Sequence, residues 1–298
     1  MTITTTGAPA SGIQHVIKLG GDVLEGAPLA ALVRSVAEVQ ASGARGVIVH
    51  GGGAQVTELS TRLGLATRMV AGRRITDAPT LDVMKMVVAG RLNLDLCAAL
   101  QAGGVRAVGL HAGSGSIRAT RRPPRLTAGA GDVPIDFGLV GDVAGFDLAL
   151  LRTLADAGRL PVLSCLGLEV VEGEGDAPAR STGQTLNLNA DLIASQLAAA
   201  AGAEVLVAVT AVGGVRREIA DPSSRIAHLT SDEARAAIAD GIVKGGMIAK
   251  LDEAMSALAQ GVRRVAIVAP HEIRAALDAP GTVGTTLVAG APRSPAAP

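Results

Sequence analysis

Short runs of β-branched and apolar residues alternate along this chain with longer Ala- and Leu-rich segments whose apolar positions recur at helical spacing. The run HVIKL at 15–19 is followed by a helical segment at 29–40, then GVIVH at 46–50, then a second helical segment at 55–63. Further strands are predicted at 105–111, 160–165, 205–210 and 264–268, and further helices at 80–102, 147–157, 190–201, 231–239 and 247–260. Strand–helix alternation of this kind is the signature of βαβ units. The expected fold is α/β: a three-layer αβα sandwich with at least six strands in a mostly parallel central sheet and helices on both faces.

Between these segments, 118–136 contains ATRRPPRLTAGAGDVP and reads as a hairpin or an exposed loop, and 172–184 reads as a second loop. Residues 1–14 and 289–298 are expected to be disordered tails around an ordered body at 15–288. That body is expected to divide into two lobes, about 15–180 and 181–288, because the motifs described below change character near residue 180. No internal repeat is visible. The formal net charge is zero, which removes the electrostatic footprint of a nucleic-acid binder. Trp and Tyr are absent and Phe137 and Phe146 are the only aromatic residues, so base-stacking platforms are excluded and the core must be Ala, Val, Leu and Ile. Cys97 and Cys165 sit in apolar runs without a CxxC pair, as buried thiols in a reducing compartment would. The opening MTITTTGAPASG lacks the basic and apolar regions of a secretory signal, and the apolar stretch 192–215 is broken by Gln196, Gly202 and Glu204. A cytoplasmic protein with no membrane partner is expected.

Lysine usage is the first chemical signal. Among 27 basic residues only Lys18, Lys85, Lys244 and Lys250 are lysines, so each one is informative. Lys18 lies inside VIKLGG, where an unpaired ammonium is costly to bury, and calls for an anion beside it. An edge-strand Lys reaching solvent would account for Lys18 but not for Gly20 and Gly21 directly after it. A second glycine run, Gly51 to Gly53, follows VIVH, which places flexible backbone at two strand C-termini shortly before helices. Open α/β sheets bind ligands at that edge, and loop amides with helix N-termini favour phosphate there. Either glycine run alone is also an ordinary tight turn. Neither fits GxGxxG or GxxxxGK[ST], which argues against a Rossmann dehydrogenase and a P-loop NTPase. Farther on, LNLNADL sets Asn187, Asn189 and Asp191 at alternate positions before an Ala-rich helix; extended backbone would turn all three to one face, and Asp191 could instead cap the helix. KGGMIAK then places Lys244 in a glycine turn and Lys250 on the following helix.

Taken together, VIKLGG, VIVHGGG, AGRRITD, LNLNAD, GGMIAK and GTVGTT resemble the motifs of the amino acid kinase family in order and approximate spacing, over about 15–288. The resemblance implies that family's fold, MgATP as phosphoryl donor and the side-chain carboxylate of N-acetyl-L-glutamate as acceptor. It implies that Lys18 and Lys250 neutralise the migrating phosphoryl group, that Asp191 orients both lysines, and that amides at Gly21, Gly51 and Gly52 stabilise the transition state. Arg74 would take a substrate carboxylate, and Asn187 and Asn189 would lie on the acceptor side. The nucleotide side is implied at Ala211, Val212, Gly213, Gly214, Val215 and Arg216, and at Ile242, Val243 and Lys244, with Mg²⁺ bridging phosphates and no metal-ligating protein residue. Ala211 stands where the family usually has an acidic residue, and the loop 121–125 is unusually basic. The resemblance also implies a homodimer through the apolar-rich helix around 84–96, and insensitivity to arginine, because MTITTTGAPASGIQ is a poor helix former. Two alternatives stay open: a kinase for a carrier-protein-linked aminoadipate or glutamate, docked through RRPPR, and a catalytically silent amino-acid-binding protein on this fold.

Overall fold

The computed structural model describes residues 12–127, 131–173, 179–218 and 220–290. Fourteen strands are assigned among them: β1 (His15–Leu19), β2 (Gly46–His50), β3 (Met69–Val70), β4 (Arg73–Arg74), β5 (Ala107–Leu110), β6 (Ile117–Arg121) and β7 (Gly141–Phe146) come first. The rest are β8 (Leu160–Ser164), β9 (Leu166–Val171), β10 (Arg180–Asn187), β11 (Val205–Val209), β12 (His228–Thr230), β13 (Arg264–Val268) and β14 (Thr285–Val288). The α-helices are α1 (Gly26–Ala41), α2 (Gly53–Arg62), α3 (Ala78–Met84), α4 (Asn93–Ala102), α5 (Leu148–Asp156), α6 (Ala190–Ala201), α7 (Ser231–Ala239), α8 (Gly246–Ala259) and α9 (Ile273–Asp278). A π-helical stretch, Lys85–Leu92, joins α3 to α4, so the helix expected at 80–102 is one continuous rod.

Eight strands form the central sheet in the order β12-β14-β13-β11-β1-β2-β8-β5. Six of them, from β13 to β5, run parallel, and β14 is antiparallel to β13. This is the mostly parallel α/β sandwich expected from the strand–helix alternation. Strands buried on both faces have no polar side to present, which is why HVIKL and GVIVH read as almost unbroken apolar runs. Helices cover the faces with single stripes: α1 buries Leu32, Ser35, Val36 and Val39, and α6 buries Ile193, Ala194, Leu197 and Ala198. Each large aliphatic side chain so removed from water contributes roughly 1.5–3 kcal/mol before entropy is charged against it. On this stripe Ala194 and Ala198 alternate with Ile193 and Leu197, and α6 packs on β1 and against α8. That proximity brings one end of α6 to Lys18.

The sequence pattern misses a second sheet, ordered β10-β9-β6-β7. The segment expected as a hairpin or an exposed loop from 118 begins as β6, which pairs antiparallel with β7, and the loop expected at 172–184 gives way to β10 from Arg180. β6 pairs antiparallel with β7 and β9 with β10, whereas β6 and β9 run parallel; the outer strands, β7 and β10, lie partly exposed, with GDVAGF and RSTGQTLN as their sequences. Neither carries an apolar alternation that would announce a strand. Of the expected tails, 1–11 and 291–298 lie outside the described residues. Ile13 is buried, and the carbonyl of Gln14 accepts from Glu204 N, tying this segment to β11.

Candidate active site

β1 is flanked by β2 on one side and β11 on the other, so the strand order reverses around it and the C-terminal ends of the three strands form a crevice. Lys18 enters that crevice from β1 and makes a direct ion pair with Asp191, in the first turn of α6. Asp191 is free to do so because Asn189, not Asp191, caps the helix: Asn189 Oδ1 accepts from Asp191 N at 2.7 Å and from Leu192 N at 3.0 Å. The capping alternative for Asp191 is thereby excluded. From α8, Lys250 and Glu253 complete a narrow cavity whose polar lining is Lys18, Asp191, Thr210, Lys250 and Glu253. Glu253 is hydrogen-bonded to Asp191, and burial together with the Asp191 charge raises its pKa to about 7 against the pull of Lys18 and Lys250.

On one side of this cluster lies a pocket of about 240 Å³ lined by Gly51, Gly53, Arg74, Asn187, Asn189 and Asp191. Arg74, on β4, points Nη2 at Gly53 O (3.0 Å) and Thr57 Oγ1 (2.8 Å), and Nη1 at Thr67 Oγ1 (3.4 Å). All three partners are neutral. Among the described residues no carboxylate pairs with Arg74, so its charge is left for a ligand. Asn187 is steadied by a bond from Nδ2 to Thr76 Oγ1 at 2.9 Å. Arg122 also lines this pocket, which the sequence reading did not foresee: it is buried and its Nε donates to Asp142 at 3.0 and 3.2 Å. Of the arginines in RRPPR, therefore, one turns inward, while Arg121 and Arg125 stay exposed.

The glycine turns owe their composition to close packing. A Cβ on Gly21 would lie 2.7 Å from Gln55 Oε1, and one on Gly52 would lie 2.4 Å from Leu92 Cδ1. Gln55 Nε2 donates to Gly21 O at 2.9 Å, which ties the β1 turn to α2. His50 orders the second turn: Asn93 Nδ2 lies 3.0 Å from its Nε2, and its Nδ1 lies 2.9 Å from Gly51 O. With the amide donating to Nε2, His50 is the neutral Nδ1–H tautomer, and burial lowers its pKa to about 4.

On the other side of the cluster, a cavity of about 370 Å³ brings together Val212, Gly214, Arg216, Ile242, Val243 and Lys244, with Lys250 at its inner end. Three expected nucleotide residues do not line it: Val215 and Gly213 are buried in the turn behind, and Ala211 is exposed, its amide donating to Asp22 Oδ2 at 3.2 Å. Thr285, from GTVGTT, supports that turn by accepting from Val215 N at 2.8 Å and donating to Ile226 O at 2.7 Å. Gly245, Gly246 and Met247 also line the cavity, at the N-terminus of α8. Their signal is the glycine pair of the motif KGGMIAK. A larger cavity, about 600 Å³, opens at the opposite end of the sheet beside His15, Arg45 and Gly46, and none of the candidate residues lines it.

The model of the amino acid kinase family matches residues 15–269. The chain belongs to the amino acid kinase family. It is 52% identical over 277 residues to an acetylglutamate kinase of Sorangium cellulosum, covering 92% of this chain and 94% of the relative. An acetylglutamate kinase of Anaeromyxobacter dehalogenans is 51% identical over 278 residues, covering 92% and 98%. Among solved structures, carbamate kinase from Giardia lamblia bound to AMP-PNP shares the fold at a TM-score of 0.66 and 17% identity, covering 94% of this chain and 99% of that one.

Proposed function

We propose that this chain transfers the γ-phosphoryl group of ATP to the side-chain carboxylate of N-acetyl-L-glutamate, giving N-acetyl-L-glutamyl 5-phosphate for arginine biosynthesis. One observation carries the reading: Asp191 lines both the Arg74 pocket and the central cavity, and Lys250 lines both the central cavity and the Val212–Lys244 cavity. An acceptor in the first and a nucleotide in the last would meet over Lys18, Asp191 and Lys250. In the step itself an oxygen of the acceptor carboxylate bonds to the γ-phosphorus while the bond from that phosphorus to the β,γ-bridging oxygen breaks, and ADP leaves with the electron pair. No covalent enzyme intermediate is needed, so catalysis rests on positioning and charge.

The two ammonium groups are assigned to the phosphoryl oxygens, and Asp191 to holding Lys18 in place. Backbone amides at Gly21, Gly51 and Gly52 are assigned to the same developing charge, and Arg74, with Asn187, to the amino acid. The nucleotide is assigned to the cavity between Val212 and Lys244, with the N-terminus of α8 towards its phosphates. The described residues contain no group of three or more His, Cys, Asp or Glu side chains placed to hold a metal ion. Mg²⁺ would come with the nucleotide rather than on a protein ligand set, and would supply charge neutralisation at its phosphates.

An acceptor lobe at about 15–180 and a nucleotide lobe at about 181–288 are part of the same proposal, with Asn187, Asn189 and Asp191 of the second reaching into the acceptor pocket. A homodimer is proposed through the helix carrying Met86 and Leu94, whose side chains are 58% and 68% exposed although the rest of its apolar stripe is buried. Light scattering at the monomer mass would refute it. No described helix is long and apolar enough to cross a membrane. The free thiols, Cys165 buried and Cys97 half-buried, fit the cytoplasm, the compartment proposed. The activity is tested by trapping acyl phosphate with hydroxylamine for N-acetyl-L-glutamate, glutamate, aspartate and a carrier-linked amino acid. Turnover of N-acetyl-L-glutamate well above the others is expected; turnover of the carrier-linked substrate alone would overturn the assignment.

A further inference from the structure

The central cavity holds one acid more than the proposed mechanism uses. Two ammoniums, Lys18 from β1 and Lys250 from α8, face two carboxyls, Asp191 from α6 and Glu253 from α8, one turn beyond Lys250. Asp191 is already committed to Lys18. With both acids ionised the cluster has no net charge, although it would lie beneath a phosphoryl group that gathers negative charge in transfer. With Glu253 protonated the cluster keeps a net charge of +1. We propose that Glu253 is a positioning residue that acts as a protonated carboxyl, donating its hydrogen bond to Asp191 and leaving the Lys250 ammonium free for the phosphoryl oxygens. This rests on the phosphoryl-transfer reading of the site.

The surroundings agree. The other residues of the cavity wall are apolar or neutral: Ala194, Leu206, Ala208, Val209, Ala254, Val265 and the Thr210 hydroxyl. The Cys165 thiol, which interacts with Asp191 and Lys18, is pushed up by burial to about 12 and stays neutral. Asp252, next to Glu253 on α8, is exposed. Burial and the Asp191 charge raise the Glu253 pKa from 4.5 to about 7, which favours the protonated carboxyl. Ionised Glu253 would pair with Lys250 and repel the phosphoryl group, so kcat falls as pH rises.

The experiment is a kcat profile at saturating MgATP and N-acetyl-L-glutamate, from about pH 6 to about pH 8.5, for the wild type and Glu253→Gln, with the acceptor KM followed alongside. Glutamine donates the same hydrogen bond and cannot ionise. The wild-type kcat is expected to fall about tenfold across that range, with the KM for acceptor little changed, and E253Q to lose the inflection. An E253Q profile that keeps the inflection, or an E253Q that loses kcat at every pH as deeply as Lys250→Ala, overturns the proposal. Infrared spectra give a readout independent of turnover: a protonated-carboxyl band in the wild type near pH 6 that disappears on titration and is missing from E253Q. A wild type without that band also overturns it. Failure of the kinase reading looks different, as no trapped acyl phosphate with the band intact.

Discussion

Replacing Arg74 with Ala isolates the acceptor side of the site. The guanidinium borders the acceptor pocket and has only neutral partners, Gly53 O, Thr57 and Thr67, so no protein carboxylate is stranded by its removal. What is lost is charge-assisted hydrogen bonding to the substrate carboxylate, roughly 1.5–3 kcal/mol, or about a 10- to 150-fold weaker acceptor complex at about 1.4 kcal/mol per decade. The lower end is favoured by the exchange of existing bonds: to grip a substrate, Arg74 must give up part of its contact with Thr57 and Gly53. Carboxylate binding persists from ground state to transition state, so the loss falls on KM for N-acetyl-L-glutamate and spares kcat. Arg74→Lys keeps the charge but not the planar fork and should fall between. Steady-state kinetics with each substrate varied at saturation of the other decides the matter. If R74A leaves the acceptor KM unchanged and raises that for ATP, the acceptor and nucleotide sides have been assigned the wrong way round.

Lys18→Ala or Lys250→Ala should lower kcat on the order of 10²-fold, since each removes charge aimed at the transferring group; KM values that rise while kcat stays put would show that the lysines only bind ground-state ligands. Because Lys18→Ala strands Asp191, its melting temperature is measured beside its rate. His15 and His50 have pKa values lowered by burial from 6.5 to about 4, so the unfolded chain takes up their protons first as pH falls. Their contribution is fully present above about pH 6.5 and is lost between there and about pH 4, on the order of 3 kcal/mol each. Glu253, raised from 4.5 to about 7, works in the opposite direction between those values, because there the folded state holds the extra proton. Urea unfolding of the wild type and E253Q at several pH values should show a steeper acid loss in E253Q, and equal slopes would contradict the assigned burial of that carboxyl.

The central sheet was legible because its strands are buried on both faces and its helices on one. Two-sided burial writes GVIVH and VLVAV as apolar blocks, and one-sided burial writes α1 and α6 at helical period. The second sheet was not, because strands such as RSTGQTLN derive their order from backbone pairing rather than from an apolar face. The long helix was legible in extent but not in its π-helical middle, Lys85–Leu92, where the residues KMVVAGRL would suit an α-helix equally well.

For the site, legibility followed the cost of burial. A lysine within a buried strand demands an anion, and the only economical source was a residue placed by another element, which turned out to be Asp191 on α6. Adjacent glycines likewise demanded a close approach, and Leu92 and Gln55 supply it. Arg122 and Glu253 gave no such warning: arginines and glutamates are common throughout the chain, and neither residue sits in an apolar run that would make its charge costly. Sequence marks a charge as unusual only when its neighbours in the chain are apolar, whereas Glu253 becomes unusual through neighbours in space, brought together where α6 packs on β1 and against α8. The residues most dependent on tertiary packing for their chemistry are thus the ones a linear reading passes over, and Glu253, with its ionisation set by Asp191 on α6, Lys18 on β1 and Lys250 on its own helix, is the clearest case.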